Sequence, residues 1–421
     1  MTATTPAVDI PRLQRRTIRL LATTQILGGV GVAMGVSVGS LLLYHLTGGP
    51  GLSGFGQALS VIGGAIIAIP VVRVTNSYGR RPGLALAYTA GIIGSSILVA
   101  AIVADSAALA FLGMFFFGGG TAANLQARYA ATDLSEPSRR GRQLSMIVWA
   151  TTVGAVAGPG LMPFADGFVR DNFGLPEYAG PFVVSALGFV VAGLILWFML
   201  RPDPLLVARV AADAPPMHKS ERGLGAGLRA VRGNPGALLG ITAVALGHVI
   251  MVGVMVMTPV HIEHTMSGHE GHGMSVEGVV GIVISLHIAG MYAFSPIVGW
   301  AADRFGRRPV ILAGIVLLLA ACATAGTAGD GTPQLAAGLV LLGLGWSCTM
   351  VAGSALLTES VDVARRASAQ GLSDVTMGVA GAVAGALSGV VMDAAGYPIL
   401  ALCAAVTTVP VAVAALRARK N

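Results

Sequence analysis

The chain has 421 residues, of which 54% are apolar and only 11% charged, and its mean hydropathy is +0.78. Soluble globular proteins carry roughly 25% charged residues, so the composition excludes a surface that faces mostly water and implies a lipid bilayer as the main partner. The net charge of +7 does not imply a nucleic-acid partner, because the basic residues are confined to particular connections.

Arg15, Arg16 and Arg19 lead into the first apolar run, at about 18–46, which is too long for the core of a cleavable signal and reads as a retained helix. A helix that spans a bilayer needs ~20 mostly apolar residues. Further runs of that kind follow at about 52–75, 82–104, 107–130, 143–166 and 179–200. Residues 201–235 are polar, carry six Arg or Lys residues and Pro215-Pro216, and read as a central linker. The apolar runs resume at about 236–260, 276–298, 309–328, 334–357, 368–392 and 397–416. Twelve spans result, divided into an N-terminal half (1–200), the linker (201–235) and a C-terminal half (236–421). The fold class expected is an all-α membrane protein.

Within the fourth and fifth spans, Asn124, Gln126 and the run Gly154-x-x-x-Gly158-Pro159 stand out, as do Gln25 and Gln57 earlier. The amides are candidates for lining a cavity or for bonds between helices. The glycine run fits a small-residue packing face that ends in a proline kink. The seventh span reads HVIMVGVMVMTP, with His248, Met251 and Met255 at i, i+3 and i+7 and therefore on one face. The eighth reads SLHIAGMYAFSP, with His287 and Met291 at i, i+4. Thioether and imidazole together suit a soft ion, above all Cu(I). Between these spans lies HIEHTMSGHEGHGM, where His261 with His264 and His269 with His272 form two His-x-x-His pairs that could catch Cu²⁺ or Zn²⁺ weakly. Asp374 falls inside the eleventh span with no partner visible in sequence, and reads either as a proton-coupling carboxylate or as one that pairs with a nearby arginine or lies near the cytoplasmic end. The three cysteines lie in apolar runs without disulfide or zinc spacing.

Of 26 basic residues, only Arg170 falls on the second side of a twelve-span arrangement. The positive-inside rule then puts both termini and the linker in the cytoplasm and makes the outer face acidic. The halves also repeat. SYGRRP (77–82) returns as RFGRRP (304–309), TDLSEPSRR (132–140) as TESVDVARR (358–366), and GAVAG (154–158) at 381–385, all at an offset of 226 or 227. Two parallel six-helix repeats around a midplane site is a transporter architecture.

The run GWAADRFGRR, from Gly299 through Asp303, Arg304 and Gly306 to Arg307 and Arg308, resembles the loop motif of the major facilitator superfamily, and the resemblance covers essentially the whole chain. It implies the twelve-helix fold of that family and a secondary transporter that works by alternating access, with this loop latching the cytoplasmic side. The first-half counterpart, Asn76 with Gly79, Arg80 and Arg81, departs from the motif because Asn76 replaces the acidic residue. Gly154, Gly158 and Pro159 resemble part of the antiporter motif of drug exporters, although Met114 stands where exporters carry an arginine. Met-x-x-x-Met on the seventh span and His-x-x-x-Met on the eighth resemble the copper-importing, CcoA-like branch. That resemblance implies Met251, Met255, His287 and Met291, with His248 beside them, as ligands for copper carried inward as substrate.

The expectation is therefore a monomeric, multi-pass transporter of the cytoplasmic membrane that moves a small ion or small molecule, best copper. The rivals are a proton-coupled exporter of amphipathic organic compounds or drugs and, more remotely, a non-transporting metal sensor. The chain has no nucleotide-binding loop and no nucleophile constellation, so it reads as a non-enzyme without a resident cofactor, driven by a gradient.

Overall fold

In the computed structural model, residues 9–47, 50–213, 223–266 and 276–409 are described. They form α1 (Ile10–Thr47), α2 (Pro50–Tyr78), α3 (Arg80–Val103), α4 (Ala107–Ala130), α5 (Arg140–Phe173) and α6 (Ala179–Met199). Two short helices follow, α7 (Pro204–Ala211) and α8 (Leu224–Val231). The remainder is α9 (Pro235–Met266), α10 (Val276–Tyr292), α11 (Ser295–Phe305), α12 (Arg307–Gly326), α13 (Thr332–Ser360) and α14 (Val363–Val406). No strand occurs among the described residues, as expected where lipid offers the backbone no hydrogen-bond partner.

Among the described residues, ten helices are long and apolar enough to cross a membrane, and α5 makes an eleventh as a bent pair, turning 58° between 137–158 and 161–173. The bend falls at Gly158-Pro159, where proline removes a backbone donor. The expected eleventh and twelfth spans both lie in α14, which breaks at Gly396 (φ 77°) just before Pro398. The eighth span is also broken: α10 and α11 meet at Ala293–Phe294, ahead of Pro296.

The linker is not uniformly irregular. Asp203 caps α7, accepting from the amides of Leu205 (3.0 Å) and Leu206 (3.3 Å), and also accepts from the Arg81 amide at 2.8 Å. It thereby fastens the linker to the start of α3.

Each half packs its own core. Leu21, Leu42, Tyr88, Phe117, Phe182 and Phe189 are buried in the first. Ile250, Ile315, Leu339, Trp346 and Tyr397 are buried in the second, which Leu144 and Val148 of α5 join. Large apolar residues such as Phe164 (74% exposed) and Val156 (68%) stay on the outside, as lipid-facing positions do. Close approach of α1 and α5 depends on small residues: a Cβ at Gly154 would lie 2.6 Å from the Val30 nitrogen.

One end of the bundle, the basic end, carries Arg80, Arg140, Arg307 and Arg366. There the halves are joined by many bonds. The Asp303 carboxylate accepts from the amides of Gly141 (2.9 Å) and Arg142 (2.8 Å), and Arg307 donates to the Pro137 carbonyl (2.7 Å). Ser295 donates to the Ser145 carbonyl (3.1 Å), and Asn76 to Ser368 Oγ (2.8 Å).

Candidate functional site: a cavity between the halves

A cavity of about 290 Å³ lies between the two halves, on the far side of these bonds from the basic end. Helical spacing builds its wall. From α4 come Thr121, Asn124, Leu125 and Arg128, at i, i+3, i+4 and i+7. α14 supplies Asp374, Met377 and Gly378; α9 supplies His248 and Met251; α13 supplies Trp346 and Met350. Gln25 of α1, Thr151 of α5 and Met291 with Tyr292 of α10 complete the polar and aromatic part.

The strongest electrostatic feature is a pair that joins the halves. Arg128 Nη2 meets Asp374 Oδ1 at 2.5 Å, with both side chains almost wholly buried, at 2% and 3% exposure. Gln126 donates to the other carboxylate oxygen at 2.6 Å. Arg80 donates to Gln126 Oε1 (3.2 Å) and Gln370 Oε1 (2.5 Å) while it holds Asp133 (2.8 and 3.1 Å). Arg128 also lies 4.7 Å from the centre of the Tyr129 ring. A buried ion pair is tolerated only when its remaining hydrogen-bonding capacity is used, and here the Asp374 oxygens are both engaged. Arg128 Nε and Gln25 Oε1 are buried without any partner, so one donor and one acceptor remain for a guest. The other Gln25 amide atom is occupied, donating to Thr151 Oγ1 at 2.9 Å.

The aromatic wall is fixed as well. Trp346 and Tyr292 meet edge to face, with centroids 5.6 Å apart. Trp346 Nε1 donates to His248 Nδ1 at 3.1 Å. A neutral His248 therefore carries its proton on Nε2. The chamber can hold a guest with an apolar, flat body and at least one polar group.

The ligand faces expected on the seventh and eighth spans do not come together as one set. His248, Met251 and Met291 line the cavity. Met255 instead packs on the C-terminal core. His287 is fully buried and turned toward α13, with Nδ1 2.8 Å from the Leu339 carbonyl. Sharing a helical face with Met291 did not bring His287 to the cavity, because the α10 face is wide enough to divide between cavity and neighbouring helix. Of the outer histidines, His261 and His264 sit on the last turns of α9 rather than in a loop. The His261 ring stacks on Tyr397 with centroids 4.3 Å apart, and its Nε2 lies 3.2 Å from the Gly329 carbonyl. His264 lines a separate pocket with Met257, Met392 and Asp393. His269 and His272 lie outside the described residues. No group of three or more His, Cys, Asp or Glu with metal-site geometry occurs among the described residues.

Asp374, unpartnered in the sequence reading, is paired with Arg128 and Gln126. Gln25 and Asn124 reach the cavity, Gln126 bonds behind it, and the Gln57 side chain lies outside the described residues. The loop residues converge at the basic end. Arg307 bonds Asp303 (2.7 Å) and Glu359 (2.6 Å), while Gly299 lies against Gly141 and Ser145 of α5. Gly306 (φ 95°) and Gly79 (φ 98°) make the corresponding turns in the two halves. Arg304 is exposed, Arg308 is partly buried, and Arg81 lies 5.0 Å over the Trp197 ring. Gly154 and Gly158 pack on α1, and Gly158 faces Ala33. Met114 is buried against Gly39.

Sequence reasoning missed Arg128, Trp346, Tyr292 and Arg209. Arg128 is one of the basic residues, all but Arg170, that fall on one side of the twelve-span arrangement, and its spacing of seven from Thr121 and four from Asn124 is the signal that places it on a cavity face. Arg209 was assigned to the linker, yet it donates to the Asn76 carbonyl (2.8 Å) and side chain (3.2 Å) and to the Ala364 carbonyl (3.4 Å).

A family model described as "Major Facilitator Superfamily" matches residues 20–278 and 270–421. The chain is 39% identical over 393 residues to the "Uncharacterized MFS-type transporter YdeG" of Bacillus subtilis (strain 168), covering 93% of this chain and 89% of that one. It is 28% identical to the "Riboflavin transporter RfnT" of Brucella anthropi, covering 91% and 90%. In fold it resembles the transporter FucP "in the outward conformation", with a TM-score of 0.70, 18% identity, and 94% and 97% of the two chains covered.

Proposed function

The chain belongs to the major facilitator superfamily of membrane transporters, and from that premise we propose that it moves a small amphipathic organic solute, with a flat ring system and a polar group, coupled to protons. The observation that carries this reading is the central cavity, with an aromatic wall at Trp346 and Tyr292 and the Arg128–Asp374 pair. The relative named as a riboflavin transporter handles a solute of that kind. Binding begins by burial of the ring against the aromatic and methionine surface. The polar group takes the free Arg128 N–H and the Gln25 carbonyl oxygen. A proton on Asp374 weakens its hold on Arg128 and on α4, so the two halves can part at the basic end. That end is the cytoplasmic one on the positive-inside rule, with both termini there and the cytoplasmic membrane as location. The bonds at Asp303, Arg307 and Asn76 hold the state that opens outward.

The test is transport by the purified protein in proteoliposomes under an imposed pH gradient, with riboflavin first and then a panel of flat heteroaromatic compounds and dyes. Accumulation that follows the gradient and disappears in Asp374→Asn supports the reading. Movement unaffected by the gradient and by that substitution overturns the coupling. No movement of any panel member overturns the solute class.

Copper is the second reading, favoured by His248, Met251 and Met291 on one cavity wall. Against it stand the fixed cation of Arg128 in the same chamber and the orientation of His287. Copper uptake that is lost in Met251→Ala but retained in His287→Ala would establish it with this smaller ligand set. Outer capture by His261, His264, His269 and His272 belongs to that second reading alone.

A further inference from the structure

The repeat makes the basic end nearly symmetric. Arg80 holds Asp133 in the first half, and Arg307 holds Glu359 in the second; each pair occupies matching positions of the two repeats. The repeat also matches Arg140 with Arg366. Their side chains make no hydrogen bond or ion pair among the described residues, and the Nε of each is buried without a partner. Arg366 is only 5% exposed, whereas Arg140 is partly open to the surface.

They lie where the halves meet. Arg140 stands between Pro137, bonded to Arg307, and Gly141, bonded to Asp303. Arg366 stands on α14 one turn before Gln370, which is bonded to Arg80. The charged groups that act on Arg366 are Asp133, Arg140, Arg80 and Glu359, drawn from both halves. Those that act on Arg140 are Glu359, Arg307 and Asp133. The carboxylates of Asp133 and Glu359 are already committed to Arg80 and Arg307, and Asp303 to Arg307 and the start of α5. Arg140 and Arg366 are therefore left without a carboxylate of their own at ion-pair distance. Like charges at an interface repel, and guanidinium forks are well matched to oxyanions.

We propose that Arg140 and Arg366 form a site for a small oxyanion of the phosphate or sulfate type, which bridges the two halves and stabilises the carrier with its basic end closed. The ligand is distinct from the transported solute, and the site does not depend on what that solute is. Bound there, the anion replaces repulsion between the halves by two charge-assisted contacts and slows opening toward that side.

The experiment is thermal unfolding of the purified protein in detergent with 10 mM sodium phosphate, against sodium chloride of equal ionic strength. At phosphate about tenfold above its dissociation constant, the expected rise over chloride is about 2 °C. It should vanish in Arg140→Gln/Arg366→Gln and persist in Arg139→Gln, which removes an exposed arginine paired with Glu136. A parallel arm in nanodiscs without phosphate compares phosphatidylglycerol with phosphatidylcholine. A phosphate increment in detergent assigns a soluble oxyanion. An increment from phosphatidylglycerol alone, lost in the double variant, assigns the same chemistry to a lipid headgroup. No increment from either source overturns the site, as does an increment that survives in the double variant or is lost equally in Arg139→Gln. The double variant has a built-in fold control, since removing two unpaired like charges should leave its melting temperature in chloride unchanged or raised.

Discussion

The Asp374 carboxyl sits in a place that water barely reaches, with Arg128 and Gln126 occupying its oxygens. Removing one partner of such a pair strands the other. Asp374→Ala should cost about 3–5 kcal/mol of stability, since Arg128 is left buried and unpaired. Asp374→Asn keeps the shape and one acceptor oxygen for Arg128 while setting an amide N–H against the Gln126 donor, and should cost less than Ala, so the order wild type, Asn, Ala in melting temperature is the expected outcome of fluorescence-detected unfolding. Trp346→Phe should weaken solute binding through two effects, loss of ring area and release of His248 from its Trp346 bond, with a several-fold rise in apparent Kd in a quenching titration. The sequence disclosed Asp374, Gln25 and Asn124, because polar residues in apolar runs stand out. It hid Arg128, whose charge blended into a basic stretch, and it overstated His287, because a shared helical face does not say which neighbour the face meets.

At the level of elements, helices whose glycines meet backbone have little room for change. Gly154 abuts Gly29 and Val30 on α1, so Gly154→Val should overpack that contact and cost about 1–3 kcal/mol. Gly167→Val, in the same helix with nothing within 4 Å, should be near neutral and serves as the comparison. Unfolding in denaturant or by heat distinguishes the two. Helix positions and the repeat were legible because apolar runs and the returning GRRP are one-dimensional signals. The kink at Pro159 and the break between the eleventh and twelfth spans were legible too, whereas the break in the eighth span was not. Prolines mark each of them, but whether a proline bends a helix, splits it or ends it depends on the neighbours that satisfy the freed carbonyls. The helix α7 was missed because eight residues give a weak periodic signal, although Asp203 followed by Pro204 is a helix start.

For the whole molecule, the basic end is the part that has to come apart during transport, and Asp303 is its main ionic fastening between α5 and the second half. Ser145 is buried beside Gly299 at that seam. In a background lacking the exposed Cys403, a cysteine at position 145 should react slowly with a maleimide. Asp303→Asn removes charge-assisted bonds of about 1.5–3 kcal/mol and should speed that reaction about tenfold or more. An unchanged rate would show that the seam is held by packing instead. The two seams are not equal, however. Where α5 meets the second half, a carboxylate does the fastening; where α2 meets α14, the corresponding residue is Asn76, and its contacts to Ser368 and Arg209 involve no acidic partner. The Asn76–Ser368 bond, which crosses from α2 to α14, is neutral and so of the weaker kind. The inward gate should therefore have an order of opening built into it: the α2–α14 edge parts first, the α5–α11 edge serves as the pivot, and a departing solute leaves along one side rather than down the axis.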